Sequence, residues 1–403
     1  MIKIGNLEID KFYLGDTSDA KIYLGNVKVW PKEEEEEPGT YPYAFKRVSR
    51  GGSAYTVDCN STSSNTITSD DAKSGLNYSD AGSSTSDNTP VSVVFGDCCQ
   101  SIGNGACSGW TYLTSVTISD NVTSLGQRSF YDTPRVEHLE IGSGITQINQ
   151  SYTFRDTGRS GSTKPDLDLS ANVGLNVGDN VFQYCYFNNM IFPNNCTLSP
   201  SSFYYCSAST LSFGSGTIIS EIGTYNHTFS NSNISTIDLN GVILIGDFAF
   251  SSASGFTSIT IPPSVTTFGQ YAFSGASGLN SVTIDYASNA TLGGNQFRDS
   301  SITSLTIGSN PTSIGESMFT NCTGLTTLVI PSNISSIGGY AFRDCTGLTS
   351  ITVESVTPPT LGGIYAFNNT NNCPIYVPPE SVDAYKAASG WPDYASRIQA
   401  IPT

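Results

Sequence analysis

Charge is scarce in this sequence, and most of it has one sign. Only 13% of the 403 residues are charged, 18 basic against 34 acidic, for a net of −16. Without the run Glu33–Glu37 the balance is still −11, from −16 plus 5. Such a chain is repelled by nucleic acid and by anionic bilayers, so neither is expected as a partner. No apolar run approaches the about 18 residues that a spanning helix needs, and membrane insertion is not expected. The opening "MIKIGNLEIDKF" lacks the roughly 7 to 15 residue apolar stretch of a secretory signal, which leads to the expectation of a protein made and released in a cytosol.

Catalytic groups are equally sparse. There are two histidines, His138 and His227, about four repeats apart and so unable to share a metal or a substrate. No C-x-x-C, G-x-S-x-G, P-loop or H-E-x-x-H occurs, and glycine pairs such as Gly103 and Gly105 fall at turn positions. The sequence therefore gives no ground for expecting an enzyme, a metal site or a cofactor. What is abundant is glycine, at 39 residues, with 20 Phe and 21 Tyr, a composition that suits a loop-rich, β-prone fold with ample material for a core.

That material recurs with a period. "GLTTLVIPSNISSIGGYAFRDC" and "GLNSVTIDYASNATLGGNQFRDS" follow one template, L-x-x-I-x-I, a turn, V-T-S-I-G, then x-A-F-x-x-C/S/T. Its Phe falls at eleven positions from Phe130 to Phe367, spaced 21 to 28 residues apart, and Cys107 fills the same slot one unit earlier. About twelve rungs follow from this over residues 91–372. Alternation within each strand sends one set of side chains inward, among them Val116, Ile118, Ile259, Ile261, Leu305 and Ile307, and the other set outward. A single rung buries too little to be stable, so neighbours must stack into one core.

These units resemble the BspA-like leucine-rich repeats, with their "TSIGxxAFxxC" signature. The resemblance covers residues 91 to about 372 and implies a mainly β, right-handed solenoid with a parallel sheet on one face. The ending 373–403 is similar to the terminal cap of such arrays, where Ser381 is expected to cap a short helix and Trp391, Tyr394 and Ile398 to cover the last rung. Family resemblance points to binding, and alone it favours a bacterial cell-surface adhesin.

Three residues after each Phe the chain places only Ala, Ser, Thr or Cys. A slot this tolerant is a steric requirement, so Cys185, Cys206, Cys322 and Cys345 are expected to be buried free thiols. The outward strand positions form a hydroxyl ladder, such as Ser258 with Thr260 and Ser281 with Thr283. Regular Thr arrays can bind ice, but this one is broken by Val329 and by the acids Glu140, Asp166, Asp168 and Asp238, which read as solvated face residues.

Two residues after each Phe there is usually a turn-type polar residue, as in Asp132, Asn231 and Asp344, but two successive rungs carry Tyr184 and Tyr205. Tyr186 and Tyr204 flank them. These four tyrosines are the predicted ligand-binding patch for a host-surface protein or glycan, with Asp166 and Asp168 as supporting polar contacts. The alternative is that the rings pack over the loops "YFNNMIFPNNC" and "TYNHTF".

Residues 1–30 are a different object. "KFYLG" and "KIYLG" repeat ten residues apart among short strand-like runs, which predicts a small β module too slight to be very stable alone. The phrase resembles the leader of virion-associated proteins in crAss-like phages of gut Bacteroides. That resemblance implies an anchor, carried by Tyr13, Leu14, Gly15, Tyr23, Leu24 and Gly25, which docks to other virion proteins. Residues 31–40 form an acidic tether, and 41–90 a Ser/Thr/Asp-rich leading segment in which "YPYAFKRV" and "AYTVDC" are expected to be strands and 60–90 loop. Together these lead to a virion fibre or decoration protein that adheres through its solenoid, with the surface adhesin as the alternative and a homo-oligomer compatible with both.

Overall fold

A computed structural model describes residues 91–96, 99–219 and 227–402 throughout, and before them the backbone of seven strands between Ile2 and Ile67. The chain divides into two compact units, Met1–Pro42 and Tyr43–Thr403. The first holds two antiparallel hairpins, Ile2–Ile4 with Leu7–Ile9 and Ile22–Leu24 with Val27–Trp30. Tyr23 and Leu24 fall in the second hairpin, while Tyr13, Leu14, Gly15, Gly25 and the tether lie outside the described residues.

The second unit is a parallel β-solenoid of about thirteen turns, one more than the repeat pattern alone gives. The additional turn lies in the leading segment. Ser53–Cys59 pairs parallel with Val91–Phe95, and Thr66–Ile67 pairs with Ser101–Ile102, while Tyr43–Arg47 closes the sheet edge antiparallel to Ser53–Cys59. These strands escape the repeat search because the Phe-centred corner is missing from their sequence.

Each rung has three parts. A longer strand such as Ser258–Ile261 builds one face, a two-residue strand such as Thr267–Phe268 builds a second, and a tight corner centred on the repeat Phe closes the coil. Alternation fixes the register: Ile259 and Ile261 are buried, and Ser258 and Thr260 exposed. The long-strand face is made of separate sheets, with breaks between His138–Ile141 and Leu167–Asp168, between Asn233–Asp238 and Ser258–Ile261, and between Ser304–Ile307 and Thr327–Ile330. Beside the third of these breaks Leu305 and Ile307 are only partly buried, which corrects the expectation that they are full core residues.

Corners stack as strands do, by backbone bonds from rung to rung, as in Phe154 N to Val181 O (3.0 Å) and Phe273 N to Gln296 O (2.7 Å). Inside them the Phe rings form one stacked column from Phe130 to Phe367, with centroids 5.0 Å apart for Phe130 and Phe154 and 5.8 Å for Phe342 and Phe367. The glycine of "TSIG" is demanded by this closeness. A Cβ on Gly338 would lie 2.5 Å from Glu316 N of the preceding rung.

The small-residue slot does more than avoid a clash. Cys185 Sγ donates to Phe154 O at 2.8 Å, Cys206 Sγ to Phe182 O at 2.7 Å, and Ser232 and Ser300 Oγ to Phe203 and Phe273 O at 3.0 Å each. The sequence suggested a steric rule only; the geometry adds a donor to a buried carbonyl, which Ala253 and Ala276 forgo. The eight cysteines among the described residues are free and buried. Burial raises the thiols of Cys345 and Cys196 to about 12, so neither is a thiolate at neutral pH.

At the C-terminal end Trp391 covers Phe367 with centroids 5.8 Å apart and donates from Nε1 to Pro359 O at 2.9 Å. Tyr394 Oη accepts from Phe367 N at 3.0 Å, and Ile398–Ala400 adds a final parallel strand. Ser381 precedes the helix Val382–Ala387 as expected, but its buried hydroxyl makes no capping bond, because the 3-10 turn Pro379–Ser381 leads straight into the helix.

Candidate functional site

The corner conformation explains why polar turn residues fill the slot two after each Phe. All eleven residues there, from Asp132 (φ 54°) to Asn369 (φ 56°), are left-handed, a region that Asn, Asp and Gly enter readily and that is unfavourable for a bulky side chain. Tyr184 and Tyr205 hold it at φ 57° and 58°. A second left-handed slot lies two before the Phe, and it too takes large residues: Arg128, Tyr152, His227, Phe248, Tyr271 and Tyr340. Side chains from the two slots share one edge of the coil.

On that edge the rings form a belt. Tyr184 and Tyr205 stack face to face at 5.3 Å and 10°, Tyr204 packs edge-on against Tyr205 at 4.5 Å, and His227 stands 6.1 Å from Tyr204. Phe248 continues from His227 at 5.3 Å, and Tyr271 stacks on Phe248 at 5.0 Å. In the other direction Arg155 lies over Tyr184 and Tyr152, both at 5.2 Å, and over Tyr131 at 5.8 Å, paired with Asp156 at 3.4 Å. Tyr205 is 42% exposed, and Tyr184, Tyr204, Phe248 and Tyr271 are half-buried. The Tyr204 hydroxyl is held above its usual range by partial burial and by its neighbour Tyr205, while burial lowers His227, which is therefore neutral at physiological pH.

The predicted patch is thus divided. Tyr184, Tyr204 and Tyr205 lie together. Tyr186 turns to the loop between Thr157 and Pro165, where Lys164 Nζ sits 5.5 Å from its ring and clasps Gly158 O at 2.8 Å and Arg159 O at 2.9 Å. That loop is the insertion that stretches one repeat to 28 residues. Asp166 and Asp168 belong to the long-strand face, in an open cleft of about 450 Å³ at the first sheet break, shared with Glu137, His138, Glu140 and Lys164. Asp166 is engaged by Asn188 and Asn189 (Asn189 Nδ2 at 2.8 Å), and Asp168 by Ser170 N at 2.9 Å. Part of "TYNHTF" lies outside the described residues.

Sequence reasoning missed Tyr131, Tyr152, Arg155, His227, Phe248 and Tyr271. Tyr131 and Arg155 directly follow their Phe, and the other four lie two before it, in a column that shows a large residue in most rungs. Among the described residues no group of His, Cys, Asp and Glu could hold a metal ion, and no helix is long and apolar enough to cross a membrane.

A stacked parallel coil of this kind is a solenoid of the repeat class. The BspA type leucine rich repeat region matches in six copies over residues 86–161, 175–298 and 243–374, more than half of the chain, and the chain belongs to that family. Among solved structures it is similar to a leucine-rich repeat protein from Bacteroides ovatus, 18% identical with a TM-score of 0.50 over 90% of this chain and 98% of that one, a likeness of fold. A leucine rich cell surface protein from Faecalibacterium prausnitzii is 17% identical with a TM-score of 0.36 over 96% and 100%. The pneumococcal vaccine antigen PcpA is 12% identical with a TM-score of 0.36 over 94% and 97%. None of the curated proteins matches the chain.

Proposed function

We propose that the protein is a non-enzymatic adhesive solenoid of the bacterial cell-surface type, which holds its ligand on the aromatic corner edge. The family supports a binding role. One observation carries the choice of surface: in two successive rungs a left-handed corner that suits Asp or Asn holds a tyrosine instead, and the rings stay half exposed. Rigid aromatics with polar tips lose little entropy on binding and recur at interface hot spots. Substituting Tyr184→Asn together with Tyr205→Asn installs residues native to that slot. It should keep the fold and weaken adhesion to epithelial cells or mucus-coated surfaces by about 1–3 kcal/mol. Unchanged adhesion in a folded variant would remove the edge from consideration.

The doubled phrase at residues 11–25, in a compact unit separate from the solenoid, favours a second reading in which the protein rides on a phage particle and the Met1–Pro42 unit docks it there. Immunogold labelling separates the two readings. Label on cell envelopes supports the first; label on tailed particles, lost when residues 1–30 are deleted, supports the second.

A further inference from the structure

We infer that the ligand of this edge is an uncharged polysaccharide lying along the solenoid axis. The inference rests on the adhesive reading above and adds the chemistry of the ligand. From Asn180 to Gly275 the sequence contains no Lys or Arg, and its acids are Glu221, Asp238 and Asp247. Asp238 ends a strand of the long-strand face, and Asp247 is 3% exposed and accepts from Gln270 N at 2.8 Å. The same stretch carries the belt from Tyr184 to Tyr271. Between the rings stand neutral hydrogen-bonding groups at corner positions, Gln183, Ser201, Asn231 and Ser252 among them.

Charge returns to the corners on either side, as Arg155 with Asp156 and Arg298 with Asp299. Among the described residues the belt from Tyr204 to Tyr271 is therefore a neutral window in a molecule of net charge −16.

This composition selects among ligands. A sulfated or sialylated glycan, or an acidic peptide, calls for guanidinium or ammonium groups, and the window supplies none of its own, the nearest being Arg155, which lies at its rim over Tyr184 and is paired with Asp156. A protein partner would accept the rings as well, but hot spots of that kind commonly add arginine anchors, which the window does not supply. A neutral sugar ring needs neither: it offers C–H faces and edges to aromatic rings and hydroxyls to amide and hydroxyl side chains, which can donate and accept. Direction follows from the stack. Rings on neighbouring rungs lie 5.3 Å apart for Tyr184 and Tyr205 and 5.0 Å for Phe248 and Tyr271. A polymer along the axis meets a similar environment rung after rung, and its contacts add as tethered binding events.

The test is native affinity electrophoresis of the full chain through gels containing mannan, xylan, β-glucan, galactan or dextran, with heparin as the anionic arm and immobilised gelatin as the protein arm. At least one neutral polysaccharide should retard the chain, at 0.5 M NaCl as well as at low salt, since no ion pair is there to be screened. Long chains should retard it more than their short oligosaccharides. The variant Tyr205→Asn/Phe248→Ser, which uses the residues that Asn231 and Ser201 place in the same slots, should weaken retention about tenfold or more. Thr260→Ala on the strand face should leave retention unchanged. If the double variant loses its circular dichroism signal, Tyr205→Asn alone takes its place.

Retardation by heparin alone, capture by gelatin alone, no retardation in any gel, or retention unaffected by the substitutions would each overturn the inference. If Tyr184→Asn/Tyr205→Asn abolishes cell adhesion while no neutral polysaccharide retards the protein, the inference fails and the adhesive reading stands.

Discussion

A tyrosine in a left-handed corner gives up about 1 kcal/mol or more of backbone energy relative to Asn or Gly. Stacking returns part of this, since an aromatic pair such as Tyr184 and Tyr205 is worth about 0.5–1.5 kcal/mol beyond its area. One stack offsets only part of two such penalties, and the contacts of Tyr184 with Arg155 and of Tyr205 with Tyr204 offset much of the rest. Tyr184→Asn/Tyr205→Asn should thus change unfolding free energy by less than about 1 kcal/mol, whereas Phe203→Ala, which opens the buried column two residues before Tyr205, should cost about 3–5 kcal/mol. Equal losses in chemical denaturation would mean that the corner tyrosines serve the core. The thiols give a second residue-scale test. With Cys322 pushed well up by burial and its Sγ bound to Phe297 O at 3.3 Å, iodoacetamide should label Cys322 and Cys345 only after unfolding, and without any reductant. A disulfide between them would contradict the donor ladder.

At the scale of the element, the two-residue alternation made the strand register legible, and the Phe column and the small-residue slot were legible for the same reason: each repeats in a fixed phase of the sequence. Sheet breaks carry no such mark. Leu305 obeys the pattern as well as Ile259 does, and each borders a sheet break, yet Ile259 is buried and Leu305 is only partly covered. Ile259→Ala should accordingly cost about 2–4 kcal/mol, Leu305→Ala distinctly less, and Thr260→Ala under about 0.5 kcal/mol. A Leu305→Ala cost as large as that of Ile259→Ala would show that the break is closed in solution. The candidate site was half legible. Tyr184 and Tyr205 stood out because their slot had a rule to break, but which residues share an edge depends on where the coil turns. Asp166 and Asp168, close in sequence to these rungs, end up on the long-strand face, and Phe248, more than sixty residues after Tyr184, joins the belt.

On the scale of the whole molecule, stacked rungs touch only their neighbours, so stability is a sum of rung and interface terms and damage stays near its source. The column of rings ends at Phe367, and Trp391 is its last layer, fully buried and tied to Pro359 O. Trp391→Ala removes that layer and leaves Phe367 facing water, a change of about 3–5 kcal/mol by analogy with other buried aromatics. Because the loss falls on the terminal interface, hydrogen exchange should speed up first in Thr360–Leu361 and Ile375–Val377 and fade over the next rungs. Protection at Asn189–Ile191 and Ser207–Ser212, beneath the aromatic belt, should stay close to that of the unaltered protein. Ligand retention by the variant should then survive at temperatures where the C-terminal rungs have already opened. Uniform loss of protection along the array would instead show one cooperative unit with no local fraying, and the belt would then depend on a cap that lies beyond its last ring, Tyr271, by 120 residues.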